Sequence, residues 1–121
     1  MTERKLILVV DDQAGIRALL AEALGVLGYQ VQPAASGPEA LAYLDRTPPD
    51  LVLLDMNMPG MSGLETLREL RRLHRTLPVL MITADENDVS VNRAMELGIS
   101  GWISKPFELD DLYHQVQSAI N

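Results

Sequence analysis

The stretch Leu51–Gly60 reads LVLLDMNMPG: four aliphatic residues run directly into a carboxylate, and a proline and a glycine follow within the next five positions. A continuous apolar run suits a strand covered on both faces, whereas a strand with one face in water alternates apolar and polar residues. Two other runs share the pattern, LILVV at 6–10 and VLMI at 79–82. YQVQPA at 29–34 alternates more and reads as an edge strand, and GWIS at 101–104 is a short fifth. An apolar strand that drives into an aspartate and then changes direction raises the question of what else gathers at the same end of the sheet.

Helical patterns separate these runs. Ile16, Leu19, Leu20, Ala23, Leu24 and Leu27 recur at helical spacing, with Gly28 placed to end the helix. Ser36 and Glu39 have the spacing of a capping box for a second helix through Leu44. A third helix is expected from about Gly63 to His74, with Pro78 opening the next strand, and a fourth from about Asn87 to Leu97, closed by Gly98. In the last, Leu109, Leu112, Tyr113, Val116 and Ile120 share one stripe. Strand and helix thus alternate five times, which defines an α/β class with a parallel sheet. Right-handed crossovers make the doubly wound (βα)5 arrangement the leading one: a five-stranded parallel sheet of order 2-1-3-4-5, flavodoxin-like. Ligands of such sheets bind beyond the carboxyl ends of the strands, beside the switch point between strands 1 and 3.

At 121 residues, 47% of them hydrophobic and 22% charged, residues 1–121 form one domain with enough apolar material for a real core. The net charge of −7 argues against nucleic acid as a direct partner, because nothing neutralises phosphates in bulk. The absence of cysteine excludes disulfides, zinc thiolates and thiol catalysis. The start MTERKLILVV carries only five apolar residues before Asp11, too few for a signal peptide or a membrane span, so the expected location is the cytoplasm, with no membrane partner.

Asp11 and Asp12 end the first strand, Asp55 the third, Thr83 and Ala84 the fourth, and Ser104, Lys105 and Pro106 the fifth. A single aspartate after a strand is more often a turn or cap residue; four strand ends that each supply a suitable group are informative together. Three carboxylates that close repel one another unless a cation sits among them. Oxygen donors without histidine or cysteine point to Mg²⁺ or Mn²⁺. No glycine-rich phosphate loop of either common kind occurs, Ser62 has no partners for a catalytic triad, and His74 and His114 lack metal-ligand spacing.

In VVDDQ (9–13), LVLLDMNMPGMSGLE (51–65), MITAD (81–85) and SKPF (104–107), in that order, the chain resembles the receiver domain of two-component and phosphorelay response regulators over essentially its whole length. DDQAGIRALLAEAL (11–24) further resembles the first helix of stand-alone phosphorelay receivers. The resemblance implies a phosphoprotein in which Asp55 becomes an aspartyl phosphate. Its donor would be the phosphohistidine of a sensor histidine kinase or histidine phosphotransfer protein. Asp12, Asp55 and the backbone carbonyl of Asn57 would bind Mg²⁺, with Asp11 acting mainly through water. Lys105, Thr83 and the Ala84 backbone would meet the phosphoryl oxygens. Thr83 and Trp102 would form the switch that alters the face of the fourth helix, fifth strand and fifth helix for a downstream protein. Trp102 departs from the Tyr, Phe or His usual there, which would restrict the inward rotamer. Asn57 and Asp85 would tune dephosphorylation, while Gln13, Ile16, Leu19, Pro106 and Phe107 would dock the phosphodonor. The Lys105–Pro106 bond is commonly cis in this family.

Phosphoryl transfer needs in-line positioning and charge neutralisation more than acid–base work, which suits these residue types. The expected molecule is a switch that catalyses its own phosphorylation and dephosphorylation, not a conventional enzyme. It stops one helix after the receiver ends, as a stand-alone receiver would, although a receiver excised from a longer regulator gives the same residues. Two other functions fit part of the pattern. A haloacid-dehalogenase-like phosphatase also uses a strand-end aspartate, but wants a second aspartate where Asn57 stands. A degenerate receiver acting only in binding would lack some of the groups that are all present here.

Overall fold

The computed structural model describes residues 4–85 and 87–120, and within them strand and helix alternate as β1 (Leu6–Val10), α1 (Ala14–Val26), β2 (Gln30–Ala34), α2 (Gly37–Leu44), β3 (Leu51–Asp55), α3 (Gly63–Leu73), β4 (Val79–Thr83), α4 (Val89–Leu97), β5 (Gly101–Ser104) and α5 (Leu109–Ile120). The strands form one sheet in the order β2-β1-β3-β4-β5, every pairing parallel. This is the doubly wound flavodoxin-like arrangement expected from the alternation.

The aliphatic runs of β1, β3 and β4 divide between two cores. Leu8, Val10, Val52, Leu54, Val79 and Met81 face one side, against α2, α3 and α4. Ile7, Val9, Leu51, Leu53, Leu80 and Ile82 face the other, against α1 and α5. Successive side chains of a strand point to opposite faces, so a strand sandwiched between helices must be apolar throughout. Each fully buried Leu or Ile contributes roughly 1.5–3 kcal/mol from removed apolar surface. β2 lies at the edge, its residues only partly covered until Ala34.

The helical stripes are narrower than their sequence spacing. Leu20, Ala23 and Leu24 of α1 are buried, but Leu19 is 45% exposed and Leu27 also lies open. Ile16 is partly buried against the core of α1 and α5, and with Leu19 it borders a hollow shared with the loop after β5. In α5, Leu112 and Val116 are buried while Leu109 is exposed. Helix ends also sharpen. Gly28 terminates α1 with φ +95°, a region in which only glycine is at ease. Ser36 accepts from the Glu39 amide (3.2 Å), yet the Glu39 carboxylate reaches the Ala35 amide instead of Ser36, so the expected reciprocal box is offset by one residue. The complete box closes α3, between Ser62 and Glu65. α4 begins at Val89, two residues later than expected, because the Asp88 carboxylate caps the Ser90 amide at 2.9 Å. His74 is the C-cap of α3 and lies outside its last turn.

Candidate functional site

The register brings the strand ends level. Val10 pairs with Leu54, Asp55 with Ile82 and Thr83 with Ser104, so Asp11, Asp55, Thr83 and Lys105 all emerge at one edge. Asp11 is fully buried. One of its oxygens accepts from the Gln13 amide at 2.9 Å, and the other lies 3.3 Å from the Lys105 ammonium. Its backbone carbonyl accepts from the Arg17 guanidinium at 2.7 Å. Arg17 is therefore a support of this loop that carried no sequence signal, since its spacing matches any exposed helical arginine.

Asp55, at the end of β3, is 2% exposed. Its Oδ1 accepts from the Asn57 amide at 3.2 Å, and Oδ2 lies 3.6 Å from Lys105 Nζ. Burial pushes its carboxyl from an ordinary 3.8 up to about 6; the Asn57 amide opposes this, Asp11 adds to it, Lys105 opposes it and Asp12 adds again. One ammonium thus does not offset three carboxylates. Asp12 is exposed at the mouth, and oxygens of Asp11, Asp12 and Asp55 lie within 4.8 Å of one another. An all-oxygen set with surplus negative charge fits a hard divalent cation.

The loop after Asp55 is held from below by Gly63. A Cβ there would sit 2.2 Å from the Asp55 carbonyl oxygen, and the Gly63 amide donates to the Met56 carbonyl at 3.0 Å. Gly63 is thus required by close approach rather than by a turn, while Gly60, with φ +75°, makes the turn itself. The Ser62–Glu65 box then fixes the start of α3, and its hydrogen bonds hold the Glu65 carboxyl below the usual range. The S-x-x-E spacing of that box is legible in the sequence at 62–65.

Thr83 is buried, and its hydroxyl donates to the Asp85 carbonyl (3.0 Å) while accepting from the Asp85 amide (3.1 Å). It is committed to its own loop, where Ala84 and Asp85 are exposed. Lys105 follows β5, its amide donating to the Thr83 carbonyl at 2.7 Å, and the Lys105–Pro106 bond is cis. Trp102, level with Met81 on β5, is half-buried against the core shared with α4 and borders a cleft of about 410 Å³ at the start of α5. Asn57 stands exposed beside the acidic mouth, and Gln13 is exposed at the start of α1. Ile16, Leu19, Lys105, Pro106 and Phe107 line a shallow apolar hollow of about 360 Å³ next to the site. His74 and His114 take no part in the site; His114 is exposed on α5.

Five βα units with acidic, hydroxyl and lysine groups at one sheet edge define the class. The chain belongs to the response regulator receiver domain family, whose model matches residues 7–117. It is a receiver domain of two-component signalling, a signalling module. Sporulation initiation phosphotransferase F of Bacillus subtilis is 40% identical over 111 residues, covering 92% of this chain and 90% of that protein. Sensor histidine kinase RcsC of Escherichia coli is 44% identical over 105 residues, 87% of this chain but 11% of the kinase. Among solved structures, Vibrio cholerae chemotaxis protein CheY4 superposes with a TM-score of 0.90 at 32% identity, covering 97% of this chain and 99% of that one. A CheY-like receiver from Methanospirillum hungatei gives 0.93 at 28% identity, covering 98% and 94%. Among the described residues no helix is long and apolar enough to cross a membrane.

Proposed function

We propose that Asp55 accepts a phosphoryl group from the phosphohistidine of a sensor histidine kinase or histidine phosphotransfer protein, and that the resulting aspartyl phosphate switches a protein-binding face. The observation that carries this reading is the Asp55 carboxylate, buried at a strand end with Lys105 Nζ 3.6 Å away and Asp11 and Asp12 beside it. One carboxylate oxygen attacks phosphorus in line; the new O–P bond forms as the P–N bond breaks, its electron pair passing to the imidazole nitrogen.

Lys105 already spans Asp11 and Asp55, so it can follow the developing charge with a small movement of a flexible stem. Asp12, Asp55 and the Asn57 carbonyl would hold Mg²⁺, with Asp11 through water, and Mn²⁺ suits the same oxygens. The ion would supply neutralisation of charge on the phosphoryl oxygens. The Thr83 hydroxyl has one proton, now given to the Asp85 carbonyl. Donating it to a phosphoryl oxygen on Asp55 requires releasing that carbonyl, which loosens the loop leading into α4. With Thr83 drawn inward, Trp102 rotates and the α4-β5-α5 face changes for a downstream protein. The hollow formed by Ile16, Leu19, Pro106 and Phe107, with Gln13 at its rim, offers the phosphodonor an apolar seat beside Asp55.

Incubation with acetyl phosphate and Mg²⁺ followed by intact mass tests the central claim. One added phosphoryl group, lost in Asp55→Asn, is expected; no addition to the wild type leaves a binding-only receiver. Turnover of a phosphate monoester would instead favour the haloacid-dehalogenase-like chemistry, against which Asn57 argues.

A further inference from the structure

We propose that Arg71 is a clamp on the carboxyl end of α4, so that the helix answers events at Thr83 by swinging its amino end about a fixed point. The inference rests on the switch reading of Thr83 above and adds the pivot.

The partners of Arg71 are backbone carbonyls at two helix ends. Its Nε donates to Leu97 O (3.1 Å) and Gly98 O (3.2 Å), and Nη2 reaches Gly98 O at 2.5 Å. Nη1 donates to His74 O at 2.8 Å. Leu97 is the last residue of α4, Gly98 its C-cap, and His74 the C-cap of α3. The last carbonyls of a helix have no intrahelical donor and carry the negative end of its dipole, so a planar cation with several donors satisfies both needs. One guanidinium therefore ties the end of α4 to the end of α3, and Gly98, with φ +88°, turns the chain away just beyond. Arg71 is half-buried, and burial lowers its pKa, as expected for a cation that has exchanged water for carbonyls.

The opposite end of α4 is held differently. Asp88 caps Ser90, and Asp85 receives the Asn87 amide at 3.0 Å, both within an exposed loop. That loop leads back to Thr83 through the paired Thr83–Asp85 bonds. Only Val91 and Ala94 of α4 are buried, and Val89 is 66% exposed. A helix with shallow packing, local bonds at one end and a cationic fork at the other moves most easily by rotation about the fork. Lysine at position 71 would keep the charge but could not hold three carbonyls in one plane.

Amide hydrogen exchange on the full chain, with Arg71→Lys and Arg71→Gln, separates the clamp from a general loss of stability. Amides of residues 95–98 are expected to exchange at least tenfold faster in both variants, while those of β3 and β4 stay within about twofold. With acetyl phosphate and Mg²⁺, intact mass should show Asp55 phosphorylated at a rate within about twofold of wild type, while the Trp102 fluorescence change falls by half or more. Uniform acceleration across the sheet, unchanged exchange at 95–98, or an undiminished fluorescence change overturns the proposal. A wild type that takes up no phosphoryl group overturns the switch reading instead, and the exchange pattern alone then decides whether Arg71 holds the helix end.

Discussion

Replacing Asp55 with Asn should stabilise the metal-free protein at neutral pH, even though it removes the central functional group. The folded state raises the Asp55 carboxyl from 3.8 to about 6, first through burial and then through Asp11 and Asp12. A carboxyl with a raised folded-state pKa binds its proton more tightly in the folded chain than in the unfolded one. Its contribution is fully present below about pH 4 and is lost as pH rises through about 6. At 1.36 kcal/mol per pH unit the interval from 3.8 to about 6 corresponds to a ceiling of ~3 kcal/mol. Water at the mouth, where Asp12 and Asn57 are exposed, reduces this to roughly 1.5–3 kcal/mol. Asn has the shape of Asp without the charge, and Lys105 keeps Asp11 as a partner at 3.3 Å. Urea denaturation in EDTA followed by circular dichroism should therefore place Asp55→Asn about 1.5–3 kcal/mol above wild type at pH 7.5. For 121 residues this is a rise in Tm of roughly 6–12 °C. The gap should roughly halve near pH 5 and shrink to about a fifth near pH 4, as both states of the wild type become protonated. Added Mg²⁺ should stabilise the wild type more than the variant. A variant no more stable than wild type at pH 7.5, or a gap unchanged between pH 5 and 7.5, would refute the electrostatic account of this pocket.

Gly63→Ala should destabilise by about 3 kcal/mol in thermal or urea unfolding, since its Cβ meets backbone that cannot rotate away. Phe107→Ala should lower kcat/KM for transfer from a phosphohistidine donor about tenfold, the loss of one apolar anchor, while phosphorylation by acetyl phosphate stays within about twofold. Trp102, the one tryptophan of the chain, should change its fluorescence when acetyl phosphate and Mg²⁺ are added, and Asp55→Asn should abolish the change. With Asn57 and Asp85 both polar and exposed beside the site, radiolabelled aspartyl phosphate should decay over minutes; a label that survives overnight would contradict that role.

Much of the fold was legible because the signal was local. Continuous aliphatic runs at 6–10, 51–54 and 79–82 read as strands buried on both faces, and handedness left few sheet orders, of which the leading one, 2-1-3-4-5, is the one observed. The convergence of Asp11, Asp55, Thr83 and Lys105 followed in turn, because parallel strands all end at the same edge. The helix stripes were less legible. Leu19, Leu27 and Leu109 have helical spacing with the core residues yet are exposed, because spacing does not show how wide a stripe of each helix the sheet covers. Caps were mixed: S-x-x-E occurs at both 36–39 and 62–65, and only the second closes reciprocally.

By itself, the sequence determined the class of fold, the set of chemical groups at the strand ends and the negative charge that calls for a cation. These depend on residue type and order, which hydrophobic periodicity reads directly. Only the tertiary structure decided how those groups divide their work. It buried Asp11 and exposed Asp12 although the two are adjacent, and it turned the Thr83 hydroxyl onto its own loop. It also placed Gly63 beneath the Asp55 carbonyl and Arg71 across the ends of two helices. Each of these rests on distances between atoms far apart in the chain or on the direction of one side chain. Neither is encoded in local pattern.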